Sequence, residues 1–289
     1  MKGGICMYIH NDAFILHSHH KIVQNESVAS KTMNRLSSGL KVHSSADDAS
    51  GLAISEQMRG QIRGLSQAQR NIQDGMSLIK ATEEGLVKIQ GILQRVNELA
   101  VQSANDTMTA SDRENAQMEV TELLQTVDDT AKNLEFNTIQ LLGPENEHEV
   151  ATAPNGSAPK LLLHVGANPR QTYEIELFDV RTENLAVKEA SILTQKEASE
   201  LITKTQNSVN KISHQLARIG SYYEALEHHF LNNSYYEANL TLSESLIRDA
   251  DMAKEAFSFL SVTIRQQADQ MLVTQANQQP KKVLSLVTG

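Results

Sequence analysis

The chain has 289 residues, 40% of them apolar and 21% charged, with a formal net charge of −9. Such a chain lacks the clustered Lys and Arg that phosphate neutralisation requires, which excludes a general nucleic-acid partner. No apolar run approaches the roughly 18 residues that cross a bilayer, and a single cysteine, Cys6, excludes an internal disulfide framework.

Aromatic residues are scarce and Trp is absent, so the core is expected to be Leu, Ile, Val and Ala on long packed helices. The first apolar run, Ala13–Leu16, is shorter than the roughly 7–15 residues of a secretory signal core. The expectation is a cytoplasmic chain, or one that leaves the cell without a cleaved signal peptide.

Taken in chain order, apolar residues recur every seven positions. The first series is Tyr8, Ile15, Ile22, Ala29 and Leu36. A glycine- and serine-rich stretch, NRLSSGLKVHSSADDASGLAIS (34–55), then interrupts it. Next come Leu65, Ile72, Ile79, Leu86, Leu93 and Ala100, with Ile89 and Val96 as companions. A strict seven-residue repeat predicts helices wound around one another. A turn follows at 103–114, where Ser111 with Glu114 three residues on has capping-box spacing. The third series is Ala116, Val120, Leu123, Val127, Ala131 and Leu134.

Residues 143–159 hold three of the five prolines and read as loop. Alternation then predicts a β-hairpin about Asn168-Pro169, with Leu161, Leu163 and Val165 facing Tyr173, Ile175 and Leu177. From about Ser191 the pattern is helical almost to Pro280. Ile202, Val209, Leu216, Tyr223 and Phe230 interleave there with Ile212, Ile219, Leu226, Leu240 and Ile247. In the last stretch Phe257, Ile264 and Met271 supply a stripe to pair with Ile15, Ile22 and Leu36. The expected fold is mainly α: a long antiparallel coiled-coil or helical-bundle rod built from both terminal regions, with a small β-hairpin in the middle. The terminal helices carry thin, polar stripes, and two-helix coils of that quality are marginal in water. They are expected to be disordered in the free monomer.

Three constellations invite a chemical reading. Ser44 or Ser45 with His43 and Asp47 holds nucleophile-type residues, but sequence neighbours in a joint lack the pocket and orienting contacts such a site needs. His17 and His20 have an acceptable ligand spacing, and His228-His229 is a further pair, yet no carboxylate or Cys completes a set nearby. The paired acids Asp128-Asp129 and Glu83-Glu84 read as solvated helix faces. No catalytic, metal or cofactor set is expected.

The runs NRLSSGLKV, ADDASGLAISEQMRGQIRGL, NIQDGMSLI, ILQRVNELAVQSAN, EFNTIQLL, LTLSESLIRDADMAKE and QANQQPKKVLSL, in this order, resemble bacterial flagellin. The matching runs cover roughly residues 34–142 and 240–287, so the chain resembles a short form with a minimal variable region. Two stretches depart from the family pattern, FILHSHHKIVQ and FSFLSVTIRQQADQMLVT, and MKGGIC precedes Met7, where the family usually begins.

The resemblance implies a structural, non-enzymatic subunit that polymerises with identical copies into the flagellar filament. It would be exported by the flagellar type III apparatus and reside outside the cell after a transient cytoplasmic stage. Three domains are implied: 1–47 with 251–289 as an inner coil, 48–142 with 190–250 as a helical rod, and 143–189 as the variable hairpin region. Gly39, Asp47, Asp48 and Gly51 form the joint. Partners implied are an export chaperone at about 250–289, hook-associated and filament-cap proteins, and a host Toll-like receptor contacting Arg95, Leu99 and Glu119. No nucleic acid or membrane is implied. The rival readings are a hook–filament junction protein, a divergent flagellin paralogue, and a secreted metal-binding enzyme on the same scaffold.

Overall fold

The computed structural model describes the backbone of residues 12–143 and 160–288 and the side chains of 15–143 and 160–278. Cys6, Tyr8, Met7 and nearly all of the 143–159 loop lie outside the described residues. Among the described residues there are five helices: α1 Asp12–Ser38, α2 Ala49–Ser103, α3 Ala110–Asn133, α4 Gln195–Arg248 and α5 Met252–Thr288. Between α3 and α4 lie two antiparallel hairpins, β1 Glu135–Phe136 with β2 Ile139–Gln140, and β3 Lys160–His164 with β4 Thr172–Glu176. The mainly α class with a small hairpin region is the one the heptads predict.

Local chemistry sets the helix starts. The first amides of a helix lack intrahelical acceptors, so a side-chain oxygen just outside must take them. Asp48 accepts from Gly51 N at 2.9 Å before α2. Asp251 accepts from Ala253 N and Lys254 N at 3.0 and 3.1 Å before α5. Thr194 and Glu197 exchange bonds before α4. Before α3 the capping box is Thr109 with Asp112, not Ser111 with Glu114. Ser111 already lies inside the helix, while Thr109 keeps an extended backbone (φ −76°, ψ 162°) that turns its hydroxyl onto Asp112 N.

The residues divide into two compact units, one of residues up to Gly60 together with Asn239 onward, the other Gln61–Ala238. In the second unit the expected heptads close the core. Ile72, Ile79, Leu86, Ile89, Leu93, Val96 and Ala100 of α2 meet Val120, Val127 and Ala131 of α3 and Ile212, Ile219 and Leu226 of α4, all but fully buried. Leu124, not Leu123, completes the α3 stripe.

The β3–β4 hairpin has the expected faces, with Leu161 opposite Ile175 and Leu163 opposite Tyr173. It sits against α2 where Gly75 leaves room: a Cβ there would collide with Leu163 and stand 3.3 Å from Leu226 Cδ1. Arg218 of α4 holds it by pairing with Glu176 while its guanidinium stacks 5.0 Å over Phe178. The chain leading to α4 is fastened to α3 twice. Gln117 bridges Ala190 O and Ile192 N at 2.9 and 2.7 Å, and Asp128 accepts from Thr182 N and Oγ1, both at 2.9 Å.

The first unit contains α1 and α5, packed antiparallel. The expected continuous helix from Ser191 to Pro280 is broken at Asp249–Asp251, where Leu40 bridges Asp249 and Ala250 N donates to Gly39 O at 2.9 Å.

Candidate assembly surfaces

The serine-rich stretch connects α1 to α2 and is held by backbone bonds to the end of α4. Gly39 takes φ +71°, a left-handed angle that suits glycine, and closes α1 by donating to Arg35 O at 2.8 Å. Lys41 N and Val42 N then both donate to Arg248 O, at 2.7 and 3.4 Å. Asp47 gathers Ser44 N, His43 N and the Ser44 hydroxyl at 3.2, 3.3 and 3.3 Å. The backbone bonds from Ser44 and His43 hold the Asp47 carboxyl below its ordinary range. His43 enters through its amide and not its ring, so the Ser/His/Asp neighbours build a turn. At Gly51 an added Cβ would strike the capping carboxylate of Asp48. Gly39, Asp47, Asp48 and Gly51 all lie in or next to this α1–α2 connection.

Two half-buried ion pairs stand behind this connection. Arg248, its side chain 10% exposed, reaches Glu56 at 2.5 Å, and Arg59 Nε donates to Glu244 at 2.7 Å.

On the second unit, Arg95 of α2 meets Glu119 of α3 at 2.9 and 3.0 Å and Glu98 at 3.1 Å, all three side chains substantially exposed. The two carboxylates raise the pKa of the Arg95 guanidinium, the Glu119 hydrogen bond contributing most. Leu99, expected beside them, is 3% exposed and belongs to the core. Leu99, one residue before Ala100, widens the buried face that Leu93, Val96 and Ala100 form. Its side chain therefore supports the Arg95–Glu119 surface from beneath and presents nothing on it.

The terminal pair departs most from expectation. On α1, Ile15, Ile22, Ala29 and Leu36 are half-buried as predicted, with Ser18 and Thr32 buried between them. On α5, however, Phe257, Ile264 and Met271 are 76%, 64% and 72% exposed. The buried and half-buried row on α5 runs instead through Glu255, Phe259, Val262, Gln266, Asp269, Val273 and Ala276, alternating by four and three. The expected stripe lies outside this row because two of its acids, Asp269 and Glu255, have polar partners on α1. Asn25 Nδ2 donates to Asp269 at 2.7 Å, and Arg35 meets Glu255 at 3.4 Å. Those polar partners outweigh the bulkier apolar residues in setting the helix rotation, and sequence hydrophobicity cannot see them. Leu16 and Val23 on α1 point outward as well, 62% and 50% exposed.

The histidines of α1, His17, His19 and His20, are exposed. Among the described residues no three His, Cys, Asp or Glu side chains gather as a metal would require, and no helix is long and apolar enough to cross a membrane.

A helical chain that closes its own core in one unit and holds heptad-spaced apolar stripes away from its own packing in the other is a self-associating structural protein. Comparison with known proteins gives its family. The bacterial flagellin N-terminal helical region matches residues 9–147, and the bacterial flagellin C-terminal helical region matches 202–287. The chain belongs to the bacterial flagellins, the structural subunits of the flagellar filament, and is not an enzyme. It is 38% identical to the flagellin of Bacillus subtilis, covering 97% of this chain and 100% of that one. It is 36% identical to that of Halalkalibacterium halodurans over the same shares. A putative flagellar hook-associated protein from Vibrio parahaemolyticus shares the fold, with a TM-score of 0.57 over 70% of this chain and 99% of that chain, at 14% identity.

Proposed function

We propose that this subunit polymerises by burying the outward stripes of its terminal helices against neighbouring copies. The observation that carries this reading is the spacing of Phe257, Ile264 and Met271, seven apart on one face of α5 and mostly exposed, beside Leu16 and Val23 seven apart on α1. Burying a side chain of this size contributes about 1.5–3 kcal/mol. A contact between different faces that does not close into a ring propagates as a helix. The thin α1–α5 seam supports the further reading that the two helices pair only marginally in the soluble chain and become stably ordered in such company.

Residues 1–47 with 251–289 make the inner coil, 48–142 with 190–250 the rod, and 143–189 the variable hairpin region. Gly39, Asp47, Asp48 and Gly51 set the joint. The Arg95–Glu119 pair is the exposed contact on the rod, open to neighbouring subunits and to a host Toll-like receptor, with Leu99 holding the surface in place. Before assembly an export chaperone covers about 250–289, which keeps the apolar stripe from associating early. The subunit then leaves through the flagellar type III apparatus to join hook-associated and cap proteins in an extracellular filament.

The test is salt-induced polymerisation of purified chain, followed by light scattering and electron microscopy, with Phe257→Ser and Ile264→Ser introduced together. The substituted chain is expected to keep the far-ultraviolet circular dichroism of the monomer and to form no filaments. Filaments of unchanged length and yield from that chain would refute the reading.

A further inference from the structure

The α1–α5 seam sets polar pairs among its apolar residues. Its central layer is polar, Asn25 with Asp269 at 2.7 Å. Seven residues to either side on each helix stand Ser18 and Thr32 on α1 and Val262 and Ala276 on α5, the buried side chains among the described residues of the two helices. Ile22, Ala29 and Leu36 on α1 and Phe259, Gln266 and Val273 on α5 are half-buried along the same rows. Toward the joint Arg35 and Glu255 add an ion pair.

A more apolar face was available. Phe257, Leu260, Ile264 and Met271 lie elsewhere around α5, 59% to 76% exposed. On hydrophobic area alone α1 would take that face, because apolar burial is non-directional and has no preferred register. Turning α5 to present it would remove Asp269 from Asn25 and Glu255 from Arg35, leaving half-buried polar groups without partners. A polar pair inside a helix seam fixes register and partner at some cost in stability.

We propose that Asn25–Asp269, backed by Arg35–Glu255, is a pairing code: it makes α1 accept its own chain's α5 in one rotation and register, and so reserves the apolar stripe for other copies. The proposal rests on the polymerisation reading above. Without such a selector, a filament crowded with identical α1 and α5 segments offers each α1 several competing α5 partners. Discrimination among them is a difference of affinities that an unpaired polar group creates directly.

The test uses the full chain with Cys6→Ser, Ser18→Cys and Ala276→Cys, treated with a short bismaleimide as soluble protein and as filament. Denaturing gels separate chains closed on themselves from cross-chain ladders. With the natural seam, closed chains are expected to exceed ladders by about tenfold or more. With Asn25→Leu and Asp269→Leu together, ladders are expected to rise to rough parity, and the exchange Asn25→Asp with Asp269→Asn is expected to restore closure. A Leu seam that keeps the full closed excess overturns the proposal, as does a natural seam that gives no closed product. Failure of the natural-seam chain to polymerise under any salt counts against the polymerisation reading, while the soluble arm still decides the pairing code. Where the Leu seam alone prevents polymerisation, the soluble arm decides in the same way.

Discussion

Arg248, the last residue of α4, sets its guanidinium against the Glu56 carboxylate at 2.5 Å, while its own carbonyl accepts the amides of Lys41 and Val42. One residue therefore ties the α1–α2 connection through its backbone and α2 through its side chain. The two partners are unequal: the Arg248 side chain is 10% exposed and the Glu56 side chain 50%. Arg248→Ala removes a buried side chain that packs and pairs, and is expected to cost about 2–3 kcal/mol. Glu56→Gln alters a well-solvated partner and is expected to cost less than about 1 kcal/mol. Amide exchange at Lys41 and Ala250 under rising denaturant measures both. Equal effects would remove Arg248 from its place at the centre of the joint.

The β1–β2 turn stores strain. Asn137 and Thr138 take φ of 50° and 66°, the pair of left-handed angles of a type I′ turn. Asn tolerates that region, whereas a β-branched residue resists it. Thr138→Gly is expected to stabilise the second unit by about 1 kcal/mol, read as a raised midpoint in thermal unfolding. A lowered midpoint would mean that the Thr138 hydroxyl, which donates to Asn137 O at 2.6 Å, outweighs the strain.

Acid is expected to loosen the β3–β4 hairpin. The Arg218 hydrogen bond, helped by the charges of Arg218 and Lys160, holds the Glu176 carboxyl below its ordinary value of 4.5. A carboxylate with a depressed folded pKa contributes stability that is fully present above the unfolded value and is lost as pH falls through the folded one. Protection of the Leu161 and Ile175 amides should therefore hold at neutral pH and decline only below about pH 4.5. Arg218→Met is expected to flatten that decline. A pH profile identical in the variant and the parent would show that another group carries the dependence.

Most of the second unit can be read directly from the heptads, since Ile72 through Ala100 are where a period of seven places them. Apolar burial dominates there, and apolar spacing reports it. Legibility fails where polar bonds decide. Thr109 displaces Ser111 as the cap because either hydroxyl satisfies the pattern and only the backbone angle at Thr109 settles the choice. The break at Asp249–Asp251 follows from amides donated across the joint, a long-range pairing that no local pattern contains, although Asp251 just ahead of an apolar helix start was a readable cap signal. Leu99 was assigned by likeness to a family surface, and it lies on neither of the two apolar registers read from α2, although it is buried. On α5 the sequence offered two seven-residue stripes, and choosing between them required Asn25 and Asp269 to be seen as partners across 244 positions.

Arg95 and Leu99 separate surface from support. Arg95→Ala breaks an exposed ion-pair cluster and is expected to change stability by less than about 1 kcal/mol. Leu99→Ala empties a core position and is expected to cost about 2–5 kcal/mol. Urea unfolding of the two variants gives the comparison. Any loss of partner binding in the leucine variant is to be credited to unfolding, and only the arginine variant reports on contact. A leucine variant as stable as the parent would contradict its place in the core.

The most direct test of the account is the accessibility of the outward α5 stripe before and after assembly. In a chain with Cys6→Ser and Ile264→Cys, maleimide labelling is expected to be fast in the soluble subunit, where Ile264 is 64% exposed, and strongly suppressed in the filament. Labelling at the same rate in subunit and filament would show that the stripe stays in water after polymerisation, and the proposed assembly surface would be wrong.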